Sequence, residues 1–350
     1  MRVDVFKIPQ AGPDDVSGLH HLIQSGAIAP QQIVGVLGKT EGNGCVNDFT
    51  RGFATQSLKV YLAKYLSPEA IQEIVFVMSG GTEGVISPHL TVFTRQPDDP
   101  QRSPRLGLVL GTARTRPFLP REIGTMTMVT TVAAAVQEAI ADAGAAAEQI
   151  HFVQIKCPLM TASQRSSQAE VVQISSYQSM ALSRGASALG VAIALGELSL
   201  NDLQEPDIAH NFDLYSGVAS TSAGVELQNC EIMVLGNAPC TSAYVIGHSV
   251  MDHALDVEAV RQAMAQTGQG SDRMVQILAK AEASPTGQIL GRRHTMLDDS
   301  DISHTRMARA VVGAAIASVV QDPMIYVSGG SEHQGPPGGG PVAAIACLDE

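Results

Sequence analysis

The 350-residue chain contains no tryptophan, and tyrosine and phenylalanine together make up only 4% of it. A core without large rings must be filled by Ala, Val, Ile, Leu and Met, which supply most of an apolar share of 45%. That is ordinary α/β material, in a chain long enough to bury a sizeable core. Charged residues are sparse at 16%, and 22 basic against 34 acidic side chains leave a net charge of −12. No run of Lys or Arg offers the stripe that a phosphate backbone requires, so nucleic acid is not an expected partner. The longest nearly unbroken apolar stretch, 310–320, falls short of the ~20 residues that cross a bilayer, so no membrane partner is expected either. The opening segment MRVDVFKIPQ carries Asp4 and Lys7 inside its apolar run and does not read as a signal peptide. The expectation is a soluble, cytoplasmic protein. Five cysteines are an odd number without a C-x-x-C pair, which points to reduced, buried thiols rather than disulfides or zinc.

Familiar nucleotide and metal motifs are also missing. Gly38-Lys39-Thr40 lacks the glycine that a phosphate loop needs five residues before its Gly-Lys pair, where Ile33 stands. The glycines of GNG (42–44) and GPPGGGP (335–341) open no helix after a strand and read as turns. Ten histidines show no H-E-x-x-H or related spacing, and His20 and His21 fall in the middle of an expected helix.

What is there is repetition. An alternating apolar strand ends in one lysine at QQIVGVLGKTEG (Lys39), EQIHFVQIKCPL (Lys156) and DRMVQILAKAEA (Lys280), at spacings of 117 and 124 residues. After each lysine comes an arginine near a helix start, at Arg51, Arg184 and Arg306, with small and apolar residues following at helical spacing. Arg309, one helical turn beyond Arg306, is the other choice for the third copy. Next comes a strand ending in a serine turn of the form S-x-G-x-E: VFVMSGGTEG (Ser79), ASTSAGVEL (Ser222) and IYVSGGSEHQG (Ser328, with Glu332). Before each lysine stand a further strand and helix, two of whose helices should close on left-handed caps at Gly144 and Gly268. The expected fold is therefore α/β, with three structurally similar α/β repeats around a pseudo-threefold axis and a central site. The units are expected at 1–98, 105–236 and 241–350, joined by linkers at RQPDDPQRSPR (95–105) and LGNAPCTS (235–242).

Taken singly, such a serine, lysine or arginine is usually a turn residue, a solvated charge or an ion-pair partner. Three copies in one order would bring nine polar side chains to one cavity and concentrate positive charge in an acidic protein. That suits an anionic, oxygen-rich small molecule of threefold character.

Together, GKTEGNGCVNDFTRGFA, FVMSGGTEGVISPH, FVQIKCPLM, RRHTMLDDSDISHTR and VSGGSEHQGPPGGGP closely resemble the cyanuric acid hydrolase and barbiturase family of cyclic amidohydrolases, over essentially the whole chain. The resemblance implies three repeats around one site, hydrolytic ring opening of a cyclic imide and a homotetramer. Its site residues fall on Lys39, Arg51 and Ser79, on Lys156, Arg184 and Ser222, and on Lys280, Arg306 and Ser328. It also implies a structural Mg2+ or Ca2+, with no part in the chemistry, held by Glu282 and by Ser331, Gln334, Gly335, Pro336 and Gly339. The middle turn departs from the other two by having Ala223 where they have Gly80 and Gly329.

A serine attacks only when a base removes its proton, and a lysine can be that base only when neutral. Glu41 and Glu282 follow Lys39 and Lys280 at the two-residue spacing that shares one face of a strand, whereas Lys156 is followed by Cys157 and Pro158. On that basis Ser222 is the expected nucleophile and Lys156 its base, as the resemblance also implies. Backbone N–H groups of Gly80, Ala223 and Gly329 would meet the oxyanion, Ser79, Ser328, Lys39 and Lys280 would polarise the other carbonyls, and the arginines would grip ring oxygens. Cyanuric acid, opened to carboxybiuret that loses CO2 to form biuret, fits a threefold site better than barbiturate does. A non-catalytic binding protein for a ring anion is the reading from another class.

Overall fold

The computed structural model describes residues 1–161 and 174–348, and within them the chain builds three four-stranded sheets of one topology. The first holds β1 (Arg2–Pro9), β2 (Ile33–Thr40), β3 (Val75–Gly80) and β4 (His89–Gln96) in the order β1-β4-β2-β3. The second holds β5 (Arg105–Arg114), β6 (Ile150–Pro158), β7 (Ala219–Gly224) and β8 (Glu231–Cys240) in the order β5-β8-β6-β7. The third holds β9 (Tyr244–Met251), β10 (Met274–Ala281), β13 (Tyr326–Gly329) and β14 (Gly340–Cys347), with a small β11 (Gln288–Ile289) and β12 (Arg292–Arg293) hairpin set apart from it. Its order, β13-β10-β14-β9, is the same ladder seen from the other edge.

In each sheet the second strand runs parallel to the third and antiparallel to the fourth. A parallel pair needs a crossover, and each crossover contains a helix: α2 (Phe49–Leu62), followed by the short α3 (Pro68–Glu73); α5 (Ser176–Leu195); and α7 (His304–Val320). The helix between first and second strands is α1 (Ser17–Gln24), α4 (Met126–Ala143) or α6 (Val257–Gln266). α4 closes on Gly144 at φ +66°, and Gly268, just past the end of α6, has φ +70°. Both are left-handed positions that cost glycine little.

The strands read as nearly continuous apolar runs because both of their faces are covered. One face of each sheet packs on its own helices, through clusters around Leu58 and Phe76, Val132 and Leu189, and Val312 and Val260. The opposite faces meet in a shared inner cluster to which Val5, Leu37, Phe152, Leu235, Leu278 and Ile345 contribute. Among the described residues no helix is long and apolar enough to cross a membrane.

The segment expected as a second linker is mostly strand. β8 runs through LGNAPC to Cys240, paired with β5 along its length, and only 241–243 separate it from β9. Its glycine and proline misled because neither interrupts the ladder. Gly236 accommodates the backbone carbonyl of Gln149, 2.5 Å from where a Cβ would stand, and Pro239 sits exposed near the strand end.

Two glycines set how closely helix and sheet approach. A Cβ at Gly111 on β5 would stand 2.0 Å from the Ala139 carbonyl oxygen of α4, and one at Gly247 on β9 would stand 2.4 Å from that of Ala263 on α6. Helix backbone cannot yield as a flexible side chain does. Gly111→Ala should therefore destabilise the protein by about 1–3 kcal/mol, read as a lower urea midpoint with an unchanged slope; an unchanged midpoint would show that α4 shifts freely.

Candidate active site

The parallel pairing sets each lysine beside its serine. In Cα register, Lys39 on β2 faces Ser79 on β3, Lys156 on β6 faces Ser222 on β7, and Lys280 on β10 faces Ser328 on β13. All three lysines are fully buried, at 0% exposure, a rare state for an ammonium-bearing side chain. Each reaches across to the carbonyl of the residue before a neighbouring repeat's serine. Lys39 Nζ donates to Val327 O at 2.7 Å, Lys280 Nζ to Thr221 O at 2.9 Å and Lys156 Nζ to Met78 O at 3.2 Å. First repeat to third, third to second, second to first, these bonds close a ring. Lys39 and Lys280 also donate to the Oγ of Ser79 and Ser328, both at 3.2 Å. Ser222 Oγ instead lies 3.0 Å from Ser328 Oγ.

The ring surrounds a cavity lined by Arg51, Arg184, Arg309, the three serines, Gly80, Ala223 and Gly329. The glutamates of the S-x-G-x-E turns stand behind this lining and pair with its cations, a role that the sequence did not disclose. Arg184 forks onto Glu332 with Nε–Oε2 at 2.8 Å and Nη2–Oε1 at 2.6 Å. Arg309 does the same with Glu83, at 2.8 and 2.5 Å. Bidentate pairing fixes the guanidinium planes before any ligand arrives.

The third arginine of this cavity is Arg309 rather than Arg306. Arg306 lies about one helical turn earlier on α7, is two-fifths exposed with its Nε 3.5 Å from Glu83, and lines an adjoining recess with Cys45 and Tyr177. The small residue after the arginine was the available signal: Gly52 and Gly185 follow Arg51 and Arg184, Ala310 follows Arg309, but Met307 follows Arg306.

The expected asymmetry among the lysines is reversed. β2 stops at Thr40 and β10 at Ala281, so the strand alternation that would aim Glu41 and Glu282 at their lysines ends one residue too soon. Glu41 is exposed, and Glu282 accepts from His304 Nδ1, Thr305 Oγ1 and the Ala283 amide at 2.8–2.9 Å. It is Lys156 whose Nζ lies 3.0 Å from a carboxylate, Glu226 Oε1. Burial, aided by Arg309, drives Lys39 well below its ordinary value. Burial, aided by Arg184, brings Lys280 down to about 7. Burial lowers Lys156 as well, but Glu226 opposes it.

One more symmetry-breaking group went unnoticed in the sequence. Tyr326, fully buried two residues before Ser328, stands where the other turns have Val77 and Ser220, and its hydroxyl, near Ser222 and Ser79, is buried without a hydrogen-bond partner.

Of the residues expected to hold a cation, Glu282 and Ser331 line one cavity together. The ligand atoms would all be oxygens, which suits Mg2+ or Ca2+. As arranged, however, the Glu282 carboxylate is taken by three protein donors, and the Gln334 side chain bonds Thr221 N, Gly330 O and Glu332 O. The Ser331 and Pro336 carbonyls already accept from Gln334 N and Gly339 N. Among the described residues no group of three or more His, Cys, Asp and Glu could hold a metal ion. The set fits a cation poorly as it stands.

Chemically, the cavity gathers hydroxyls, lysines of lowered basicity and fixed guanidinium donors in a water-poor centre, the equipment for attack on an electron-poor carbonyl. Residues 4–347 match the family model described as amidohydrolase ring-opening protein. A protein named cyanuric acid amidohydrolase from Enterobacter cloacae is 52% identical, the alignment covering 99% of each chain. A solved cyanuric acid hydrolase structure superposes at TM-score 0.95 with 50% identity, covering 99% of each chain. The crystal structure of the cyanuric acid hydrolase from A. caulinodans gives 0.93 and 48%, covering 100% of this chain and 99% of that one.

Arg309→Ala should cut kcat/KM at least ~100-fold, because it removes a charged donor and leaves the half-buried Glu83 without its fork. Arg306→Ala should stay within about tenfold; equal losses in steady-state assays would contradict the placement. The buried lysines also set a pH dependence of stability. Lys280 binds a proton near pH 7 when folded and near ~10.4 when unfolded. Between those values the unfolded chain holds more protons, so stability rises with pH. The unfolding free energy of the wild type minus that of Lys280→Met should grow from pH 7 to 10, and a flat difference would show that Lys280 is charged in the folded protein.

Proposed function

The chain belongs to the ring-opening amidohydrolase family, and we propose that it hydrolyses cyanuric acid, with Ser222 as nucleophile and Lys156 as general base. The single observation that carries this reading is the register of three lysine–serine pairs around one cavity that three arginines line. A planar trione with three equivalent carbonyls presents an oxygen to each arginine, and three serine turns present hydroxyls and backbone donors between them. Barbiturate, with carbon in place of one ring nitrogen, leaves one sector mismatched.

In the proposed cycle, Ser222 Oγ attacks one ring carbonyl as its proton passes to Lys156 Nζ. The oxyanion meets the backbone donors of the serine turns. The ring C–N bond then breaks, and the departing nitrogen takes the proton back from Lys156. Water hydrolyses the resulting acyl-serine to carboxybiuret, which loses CO2 to give biuret. Lys39 and Lys280, already bonded to Ser79 and Ser328, polarise the other two carbonyls. Holding the ring by three forked donors converts attack into an intramolecular step, so loss of one clamp damages turnover as well as affinity. No metal takes part in this cycle. The same reading makes the protein a cytoplasmic homotetramer, for which the exposed Phe49 and Phe53 on α2 offer apolar surface.

One observation favours a second assignment of the dyad. Lys280 sits near 7 and already touches Ser328, while Lys156 is paired with a carboxylate. Serine substitutions separate the two. On the leading assignment Ser222→Ala and Lys156→Ala reduce kcat at least ~10⁴-fold while ligand still binds, and Ser328→Ala loses about 10²–10³-fold as a lost donor to one of the other two carbonyls. If Ser328→Ala is the inactive variant and Ser222→Ala turns over, the dyad belongs to the third repeat. Ultraviolet absorbance should show cyanuric acid consumed and barbituric acid untouched; the reverse would transfer the mechanism to barbiturate, and binding without consumption of either would make the protein a carrier.

A further inference from the structure

Two of the three inter-repeat arginine–glutamate forks are made and the third is not. Arg184 reaches Glu332 and Arg309 reaches Glu83, in the cyclic sense second repeat to third and third to first. The same rotation would carry Arg51 onto Glu226. Arg51 donates instead through Nη1 to Ala223 O at 2.9 Å and through Nη2 to Cys45 O at 2.6 Å. Its Nε is buried without a hydrogen-bond partner, 3.7 Å from Asp48 Oδ2. Glu226 has turned to the Lys156 ammonium at 3.0 Å, and Lys156, unlike Lys39 and Lys280, makes no hydrogen bond to its own serine among the described residues.

The turn backbone accounts for the difference. Gly81 and Gly330 follow their serines by two residues with φ of +104° and +78°, and a Cβ at either would stand 2.6 Å from the arginine Nε. Gly224 holds the matching place without a left-handed φ, as the last residue of β7, and a Cβ there would stand 2.2 Å from Glu226 Oε2. The middle turn therefore lays its glutamate toward the lysine.

We propose that Glu226 is a positioning residue with two partners: it holds the Lys156 ammonium in the ligand-free site and swings to the vacant Nε of Arg51 when the ring enters, freeing Lys156 to act on Ser222. This rests on Lys156 being the base, as proposed above. The ring oxygens draw the Arg51 fork into the cavity, and the charge of Glu226 follows it, completing the third fork. Lys156 then gives its proton to bulk water and, as a neutral amine, takes the Ser222 proton during attack. Other charges leave the exchange intact. Cys157 neighbours Lys156 on β6, Arg51 reaches it from α2, and Glu231 across the ladder on β8 is engaged by Arg114. The site thus keeps its base protonated until a substrate is present.

The test is the pH profile of Glu226→Gln, which keeps shape and removes charge, against the wild type on cyanuric acid. An opposite charge in contact moves a titration by about 1–3 units, and kcat/KM reports the free enzyme while kcat reports the complex. Exchange predicts that the acid limb of kcat/KM falls by about one pH unit or more in the variant while that of kcat moves little. Coincident kcat/KM limbs overturn the proposal, and so do equal shifts in both profiles, which would make Glu226 a static counter-ion. Should Glu226→Gln not fold, Glu226→Asp, whose shorter arm withdraws from Nζ, is read by the same outcomes. Ser222→Ala is assayed alongside. If it still hydrolyses, the dyad reading fails and takes the exchange with it; if it is inactive while the Glu226 limbs coincide, the exchange alone fails.

Discussion

Three lysine side chains buried at the meeting point of three sheets are the constraint around which the molecule is arranged. Desolvating an ammonium costs several kcal/mol even after relaxation, so each amine must be hydrogen-bonded, and its charge kept low or countered. The protein does this by lending each lysine a carbonyl from the strand of another repeat. Because those bonds run in a ring, each lysine depends on a carbonyl from another repeat as well as on partners in its own. The apolar inner cluster brings the sheets together, and the polar ring above it fixes their mutual register.

The arginine–glutamate forks extend the same logic outward. A guanidinium held at two atoms by a carboxylate from the next repeat is rigid and stays charged, so it serves as a preorganised donor. Near-symmetry gives three similar donor sets, but chemistry at one carbonyl needs one serine to differ from the other two. That difference resides in the middle turn, where Ala223 and the strand-like Gly224 alter the path of the backbone and send Glu226 to Lys156, and in Tyr326, a phenol set against Ser222 and Ser79 in the third repeat only. Symmetry supplies binding, and its local failure supplies a distinguishable reaction centre.

Much of this was legible in the chain because it rests on short-range periodicity. Alternation in QQIVGVLGK, helical spacing after Arg51, and a serine turn closing each third strand are local patterns, and three occurrences in one order outweigh the ambiguity of any one. The misreadings share a cause, since each concerns a side chain whose partner is distant in sequence. Pro239 looked like a linker residue because the pairing of β8 with β5 is invisible locally. Glu41 looked like a partner of Lys39 because strand alternation was carried past the strand end, while Glu226, seventy residues after Lys156, was seen only as part of a turn motif. Arg306 and Arg309 are about a helical turn apart, and the small residue that follows Arg309 was the one local hint.

The sequence by itself determined the fold class, the threefold repetition and the identity of the lysine, serine and glutamate positions, because strand and helix periods and recurring motifs are properties of neighbouring residues. Which lysine carries a carboxylate, which arginine enters the cavity and which fork is left open were decided only by the tertiary structure. Those depend on contacts seventy or more residues apart in the chain, where angstrom-scale differences in one turn redirect a charge from a guanidinium to an amine.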